Sequence, residues 1–245
     1  MRLLIALTIL LITLNVAGAQ EFDLSKIIPD GGGTYSGRII QGILLLTILS
    51  IAPGLLVTTT SFTRFVIAFS FLRSGLGLQS TPSNLIVISL SIFMTYFVMS
   101  PVFEKSWNEG IQPLLDNKIS QEDALVKTTE PLKNFMLRHV RDKDLAIFSE
   151  FNKRNEIENA EDSGPGLKII IPAFVLSELR RGFEIGFLIL LPFLIIDLVV
   201  ATITMSMGMM MLPPTVVSLP FKVLFFVLID GWNIIVGQLL SSVDF

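Results

Sequence analysis

The chain of 245 residues is rich in apolar side chains and poor in charged ones. Hydrophobic residues make up 51% of it and charged residues 16%, against about 25% charged residues in an average soluble domain. This composition, with a mean hydropathy of +0.71, argues against an ordinary soluble enzyme. The formal net charge of −3 provides no basic surface, so we expect no nucleic acid partner.

The charged residues are concentrated in one segment. Positions 104–166 hold 22 of the 39 charged residues, and no acidic residue lies between Asp30 and Glu104. Charge-poor stretches of this length suit a lipid bilayer. We therefore predict an all-α membrane protein with one charged helical insert.

Composition also bears on metal and thiol chemistry. The chain has no cysteine, which excludes disulfides, thiolate nucleophiles and cysteine-ligated zinc. His139 is the single histidine; it cannot supply a histidine-based metal site, and we expect it at the surface. The sequence contains no nucleophile-elbow, zinc-peptidase or phosphate-loop motif. We expect no catalytic activity, no metal and no cofactor.

The first 19 residues have the pattern of a secretory signal peptide. A positively charged start is followed by an apolar run at 3–14 and by a small-residue site that ends at Ala19. A first transmembrane helix is the alternative, but the run is much shorter than the ~20 residues that span a bilayer. We predict cleavage between Ala19 and Gln20, which places the mature N-terminus outside the cytoplasm.

The rest of the chain divides by composition into four segments. They are a glycine-rich extracytoplasmic lead-in at 20–38, an N-terminal apolar helical hairpin at 39–103, the charged segment 104–166 and C-terminal apolar helices at 167–245. The positive-inside rule places Arg64 and Arg73, which have no acidic neighbours in the sequence, on the cytoplasmic side. Segment 104–166 then lies in the periplasm.

Every apolar block contains proline or begins within three residues of one. Proline frees backbone carbonyls that lipid cannot satisfy, so neighbouring helices or a water-filled cavity must satisfy them. We therefore expect proline-broken helices that pack among the helices of an oligomer or a larger assembly. These prolines are Pro53, Pro101, Pro172, Pro192, Pro213, Pro214 and Pro220.

Asp197 lies within the apolar run 185–212. A carboxylate at the bilayer centre costs about 3 kcal/mol on insertion scales, so it should face protein or water. It could relay protons or ions, or it could be a structural partner for a cation such as Lys222 or a residue of another subunit. Helical spacing places Ala201, Thr204 and Gly208 on its face.

A second group of charges follows the short apolar run 169–176. Spacing on a helix pairs Glu178 with Arg181 and Arg180 with Glu184, and we expect such pairs to fix register within a complex. Arg180 and Arg181 would lie on the outer side of the membrane, where basic residues are disfavoured. The run 169–176 is therefore predicted to be a re-entrant or packed helix.

Two further features stand near the C-terminus. Asp230 interrupts the apolar run 223–240 beside Trp232, so it requires a polar partner, and the tryptophan suits the membrane interface. Five of the nine methionines lie within residues 205–211. Methionine is flexible and adapts to changing surfaces, so this cluster could form a sealing contact or ordinary core.

Several sequence blocks together resemble the flagellar biosynthesis protein FliP family. The resemblance covers about residues 40–240 and is weakest in the charged segment. Gly75 and Gly182 stand where the family more often has alanine. The blocks are LTILSIAP (46–53), TSFTR (60–64), LR (72–73), IPAFVLSEL (171–179), PF (192–193), ID (196–197), MGMMM (207–211), SLPFK (218–222) and DGW (230–232).

The resemblance implies a subunit of the flagellar type III export gate in the bacterial inner membrane at the flagellar basal body. In that family five copies assemble with FliQ and FliR around a channel for unfolded flagellar proteins, in a raised cone of helices, with FlhB and FlhA as further partners. The resemblance also implies that Met209, Met210 and Met211 form the gasket of the constriction, and it favours intersubunit pairing for Asp197. One rival hypothesis is a proton-coupled secondary transporter that uses Asp197 and Asp230, and another is a scaffold subunit with no role in the pore.

Overall fold

The computed structural model describes residues 35–78, 81–155, 165–208 and 213–243. Over these ranges 87% of the residues are helical and no strand occurs, which confirms the predicted all-α class. The predicted signal peptide, with Ala19 and Gln20, lies outside the described residues, as do Met209, Met210 and Met211.

The described chain forms nine α-helices and one π-helical turn. They are α1 (Tyr35–Thr59), α2 (Phe62–Gly75), α3 (Asn84–Ser106), the π-helical turn (Trp107–Ile111), α4 (Gln112–Leu115), α5 (Gln121–His139), α6 (Asp142–Asn155), α7 (Leu167–Ser206), α8 (Pro214–Leu228) and α9 (Gly231–Ser241).

The chain divides into two compact units, residues 1–51 and 52–245. The described part of the first unit is the beginning of α1. There the hydroxyl groups of Thr47 and Ser50 donate to backbone carbonyls one turn earlier, those of Ile43 and Leu46. These bonds satisfy the hydroxyls inside the helix, which suits an apolar environment.

The core of the second unit is built on the packing of α2 against α7. Phe65, Phe69 and Leu72 of α2 are buried with Ile170 and Phe174 of α7. The two helices approach closely because α7 places glycines at the contact. A Cβ at Gly182 would lie 3.1 Å from Ile67, and one at Gly186 would lie 2.7 Å from the ring of Phe71.

The charged segment packs onto the same core. Ser120 caps α5, because its hydroxyl oxygen accepts from the backbone N–H of Asp123 at 3.1 Å. On the opposite end of α5, Phe135 and Met136 are buried, and the ring of Phe135 lies edge-on to that of Phe174 at 5.9 Å. The hydrophobic face of α5 therefore joins segment 104–166 to α7.

Five of the seven prolines do not break their helices, so the prediction is wrong for these five, whereas Pro213 and Pro214 lie at the start of α8. Pro53, Pro101, Pro172, Pro192 and Pro220 all lie inside continuous helices. A proline removes one hydrogen bond, but the flanking apolar turns continue on both sides.

The sharp bends lie elsewhere. The chain turns by 85° between Pro53–Thr59 and α2, and by 65° between α8 and α9. The run 169–176 continues without a break into residues 185–206 of α7, so it is not a separate re-entrant helix. Its residues Ile170 and Phe174 are buried in the core, which agrees with the alternative prediction of a packed helix. The run 223–240 is divided at Ile229 and Asp230.

Within the described residues, two helical stretches are long and apolar enough to cross a membrane, Asn84–Leu115 and α7, or up to four if each bent pair forms one span. With 40 residues and a rise of about 1.5 Å per residue, α7 is about 60 Å long. The hydrocarbon core of a bilayer is about 30 Å thick. Half of α7 therefore extends beyond it if the helix stands upright.

Candidate functional site

Arg64 and Glu178 form a fully buried ion pair between α2 and α7. Their side chains are 0% and 1% exposed. The guanidinium Nε donates to Glu178 Oε2 at 2.9 Å, and Nη2 donates to Oε1. Nη1 donates to the carbonyl and to the hydroxyl oxygen of Ser242, just after α9. One guanidinium thus fastens three helices together.

This geometry corrects two predictions. Arg64 is not a free cytoplasmic-side charge, because it is buried against an acid 114 residues further along the chain. Glu178 pairs with Arg64 rather than with Arg181, which the local helix spacing had suggested. The other predicted pair is present, since Arg180 Nε donates to Glu184 Oε1 at 2.7 Å on an exposed face. Arg73 is half-buried and donates to Asn84 Oδ1.

A second polar cluster adjoins the first at Ser177. Its hydroxyl donates to Asp144 Oδ2 at 2.6 Å and accepts from the backbone N–H of Arg141 at 3.1 Å. The Arg141 guanidinium donates to both oxygens of Asp144. Burial opposes ionisation of Asp144, but the Ser177 and Arg141 hydrogen bonds prevail and hold the pKa of this carboxyl below its ordinary value. The cluster ties the start of α6 to α7.

His139 lies beside these clusters at the end of α5. The sequence analysis predicts it at the surface, and that prediction is wrong, because the side chain is buried. Its ring packs on Phe135 at a centroid distance of 4.4 Å. Nδ1 lies 2.9 Å from the carbonyl oxygen of Phe135. Burial lowers the pKa of the imidazole below 6.5, and Arg64 and Arg181 lower it further, against the opposing hydrogen bond and Glu178. His139 is therefore held in its neutral form.

A further ion pair joins α7 to α8. Lys222 Nζ donates to Asp197 Oδ2 at 2.6 Å, and the hydroxyl of Ser218 donates to Asp197 Oδ1. Lys222 is 4% and Asp197 27% exposed. The structure thus supplies the cation that the sequence analysis named as one option, and both charges belong to one protomer. Ala201 and Thr204 lie within α7, whereas Gly208 lies beyond its end.

Asp230 lies at the corner between α8 and α9. Its backbone is left-handed, with φ of 52°, and this turn is why the apolar run divides here. Its carboxylate accepts from Asn233 Nδ2 at 3.2 Å and is exposed. The partner is an amide rather than a cation. Trp232 packs edge-on against Phe226 at 5.4 Å.

The methionine cluster begins at the end of α7. Gly208 has φ of 74° and stops the helix, with its N–H donating to the Met205 carbonyl at 3.0 Å. Met205 and Met207 are exposed at this end. The fold therefore presents two thioethers of the cluster on an open surface rather than in the core.

Sequence reasoning missed the Arg141–Asp144–Ser177 cluster. Asp144 lies in the first turn of α6, where an acid also suits the helix dipole, so the sequence carries no signal for a tertiary partner. For Glu178 the sequence did contain a signal for a partner, because a carboxylate between apolar runs requires a cation. No group of three or more potential metal ligands among histidine, cysteine and acidic residues occurs in the described part of the chain.

Comparison with known proteins places these residues in a family. The sequence profile of the FliP family matches residues 45–239. The chain belongs to the FliP family. The match includes Arg64, Glu178, Asp197, Lys222 and the methionine cluster, and it confirms the resemblance noted in the sequence.

Members of the FliP family named flagellar biosynthetic protein FliP match over most of their length. The Agrobacterium fabrum protein is 54% identical over 241 residues, which cover 98% of each chain. The Rhizobium meliloti protein is 55% identical over 228 residues, 93% of each chain. The Bacillus subtilis protein is 52% identical over 203 residues, 83% of this chain and 91% of the relative.

Proposed function

We propose that this chain is a core subunit of the flagellar type III protein export gate. Five copies assemble with FliQ and FliR, in contact with FlhB and FlhA, and enclose the channel through which unfolded flagellar proteins cross the inner membrane. Membership of the FliP family is the observation that carries the proposal. The gate subunit acts in flagellum assembly and is not an enzyme.

The exposed apolar surface of α7 supports an assembly. Only 11% of the most apolar 18-residue stretch of this helix is buried within the protomer. Ile195, Leu198 and Ile203 are more than half exposed. At about 1.5 Å per residue this stretch is about 27 Å long, close to the thickness of the hydrocarbon core of a bilayer, about 30 Å. Large exposed apolar patches also mark interaction sites, and in the proposed gate neighbouring subunits cover part of this surface.

The methionine cluster supplies the gasket of the channel. The turn at Gly208 directs the chain out of α7, and Met209, Met210 and Met211 follow it directly. Flexible thioether side chains adapt to a passing polypeptide and close behind it. Segment 104–166 lies on the periplasmic side and packs between neighbouring copies, and Arg73 lies on the cytoplasmic side.

Asp197 serves assembly rather than proton transfer. Both oxygens of its carboxylate accept hydrogen bonds within the protomer, one from Lys222 and one from Ser218, as in a structural ion pair. Asp230 is hydrogen-bonded at a helix corner. Neither environment favours the rival hypothesis of a proton-coupled transporter.

The mass of the purified complex tests the proposal most directly. A chain of 27.1 kDa that acts as a transporter by itself gives a small detergent particle, whereas an export gate gives a particle with several copies and companion proteins. Native mass spectrometry of the affinity-purified complex distinguishes them. Recovery of a lone protomer under mild detergent would contradict the gate assignment.

A conductance measurement tests the gasket. Replacing Met209–Met211 with alanine should leave the complex assembled and raise ion leak, because small side chains leave the constriction open. Replacement of the same three residues with leucine is the matched control, since leucine keeps the apolar bulk. Equal conductance in the alanine, leucine and unchanged complexes would refute the gasket role.

Deletion of residues 2–19 tests the predicted signal peptide. Without it, the lead-in at 20–38 should fail to reach the periplasm and export should stop. Export at the normal level from the shortened chain would refute the signal peptide and the N-terminal orientation.

A further inference from the structure

The five methionines within the described residues occupy two contrasting environments. Met94, Met99 and Met136 lie in the core of the second unit and are 3%, 0% and 1% exposed. Met205 and Met207, at the end of α7, are 58% and 68% exposed. Because the chain contains no cysteine, methionine is its most readily oxidised side chain.

We propose that Met205 and Met207 form an oxidant-sensitive site whose conversion to methionine sulfoxide opens the seal at this end of α7. The modification itself follows from exposure and thioether chemistry. The effect on the seal rests on the proposed function, because it requires that the methionine cluster closes a channel.

The oxidant is a peroxide or a hypohalous acid. With hydrogen peroxide, a sulfur lone pair attacks one oxygen, the O–O bond breaks and an S–O bond forms. The sulfur is oxidised by two electrons, and the second oxygen leaves as water after proton transfer. Thiol-dependent methionine sulfoxide reductases reverse the change.

The chemical consequence is a change from apolar to polar at a surface that must exclude water. The thioether of Met207 lies at the first position after α7, immediately before the turn at Gly208. A sulfoxide oxygen is a strong hydrogen-bond acceptor and recruits water. Two such groups beside the predicted gasket weaken its contact with the passing chain and with neighbouring copies.

The three core methionines provide internal controls for the modification. The full chain in isolated membranes is treated with hydrogen peroxide, and each methionine peptide is followed by mass spectrometry. Met205 and Met207 should gain one oxygen about tenfold faster than Met94, Met99 and Met136, as exposure dictates. Equal rates at the exposed and core positions would overturn the proposal.

The second part of the experiment measures function, as the ratio of the ion leak after peroxide treatment to the ion leak before it. All complexes in this comparison carry leucine at positions 209–211, so that oxidation of the gasket itself cannot change the leak. In this background the ratio should rise severalfold, with or without the core control Met136→Leu. It should stay near one when the double variant Met205→Leu/Met207→Leu is added, because these positions can then no longer be oxidised. A rise of the same size in the double variant would overturn the site.

The alanine replacement of Met209–Met211 separates this inference from the proposed function. If that replacement raises leak but peroxide does not, the gasket stands and the oxidant-sensitive site falls. If neither raises leak, both the gasket and the sensitivity of the seal are refuted, whatever the mass spectra show.

Discussion

The two halves of α7 differ in what covers them. The first half, 167–186, buries Phe174, Glu178 and two glycines against α2, α5 and α6. The second half, 187–206, buries little and leaves Leu198 65% exposed. The first half carries five charged residues, at positions 168, 178, 180, 181 and 184, whereas the second half carries one, Asp197.

The difference lies in shape and charge. The first half carries small residues that permit close approach and polar groups that find partners on α2 and α6. The second half carries one carboxylate, that of Asp197, which is paired with Lys222 of α8. The rest of its surface is mainly apolar. The first half of α7 thus packs within the protomer, whereas the second half is exposed and can contact other molecules. Substitutions should separate these two roles.

The largest effect is expected from removing one member of the pair in the first half. Glu178→Gln should lower the stability of the protomer by about 3–5 kcal/mol, because it leaves the buried Arg64 guanidinium without its counter-charge. Thermal unfolding in detergent measures the loss.

The exposed pair on the same helix is the matched control. Glu184→Gln removes the partner of Arg180 at a site where both side chains are 57% exposed and should cost less than about 0.5 kcal/mol. Equal losses for the two variants would contradict the assigned difference between the buried and the exposed pair.

Close packing in the first half should give the next largest effect. Gly186→Ala places a Cβ about 2.7 Å from the Phe71 ring, so the ring must move and the cost should be about 1–3 kcal/mol. Gly237→Ala in α9 is the control, because no atom lies within 4 Å of its added Cβ. If both substitutions leave the melting temperature unchanged, α2 and α7 do not pack as described.

A substitution in the second half should act mainly on assembly. Asp197→Asn removes the counter-charge of Lys222 and should reduce recovery of the multi-subunit complex several-fold. The loss of protomer stability should be smaller than for Glu178→Gln, about 1–2 kcal/mol, because Asp197 is 27% exposed and solvent screens the pair. Size-exclusion chromatography of the complex measures this. Normal assembly together with loss of proton-driven export would favour the relay hypothesis instead.

The smallest effect is expected from pH. The folded pKa of His139 lies below 6.5, so the folded protein binds this proton less readily than the unfolded chain. Its contribution to stability is therefore fully present above pH 6.5 and is lost as pH falls through the folded pKa. His139→Gln should flatten the dependence of the melting temperature on pH below 6.5. An unchanged pH profile in this variant would show that another group is responsible.

The helical class and the family could be recognised from the sequence because both depend on local pattern. Apolar runs predict helices, and the blocks around Pro172, Asp197 and Gly208 carry the family resemblance. The Asp197–Lys222 pair could be named as an option because so few charges occur in the C-terminal apolar segment. The sequence could not decide between that pair and a partner in another subunit.

Tertiary structure decided the partners and the bends. Local spacing favoured Arg181 as the partner of Glu178, but in the folded protomer the partner is Arg64 of α2. Its guanidinium donates to both oxygens of the Glu178 carboxylate and to the backbone carbonyl of Ser242 after α9. Proline content predicted the wrong break points, because a helix supported by its flanking turns tolerates one lost hydrogen bond. Sequence alone established which residues prefer helices and an apolar environment. Only the packed protomer established which of those apolar surfaces are already covered, because coverage depends on contacts between residues far apart in the chain.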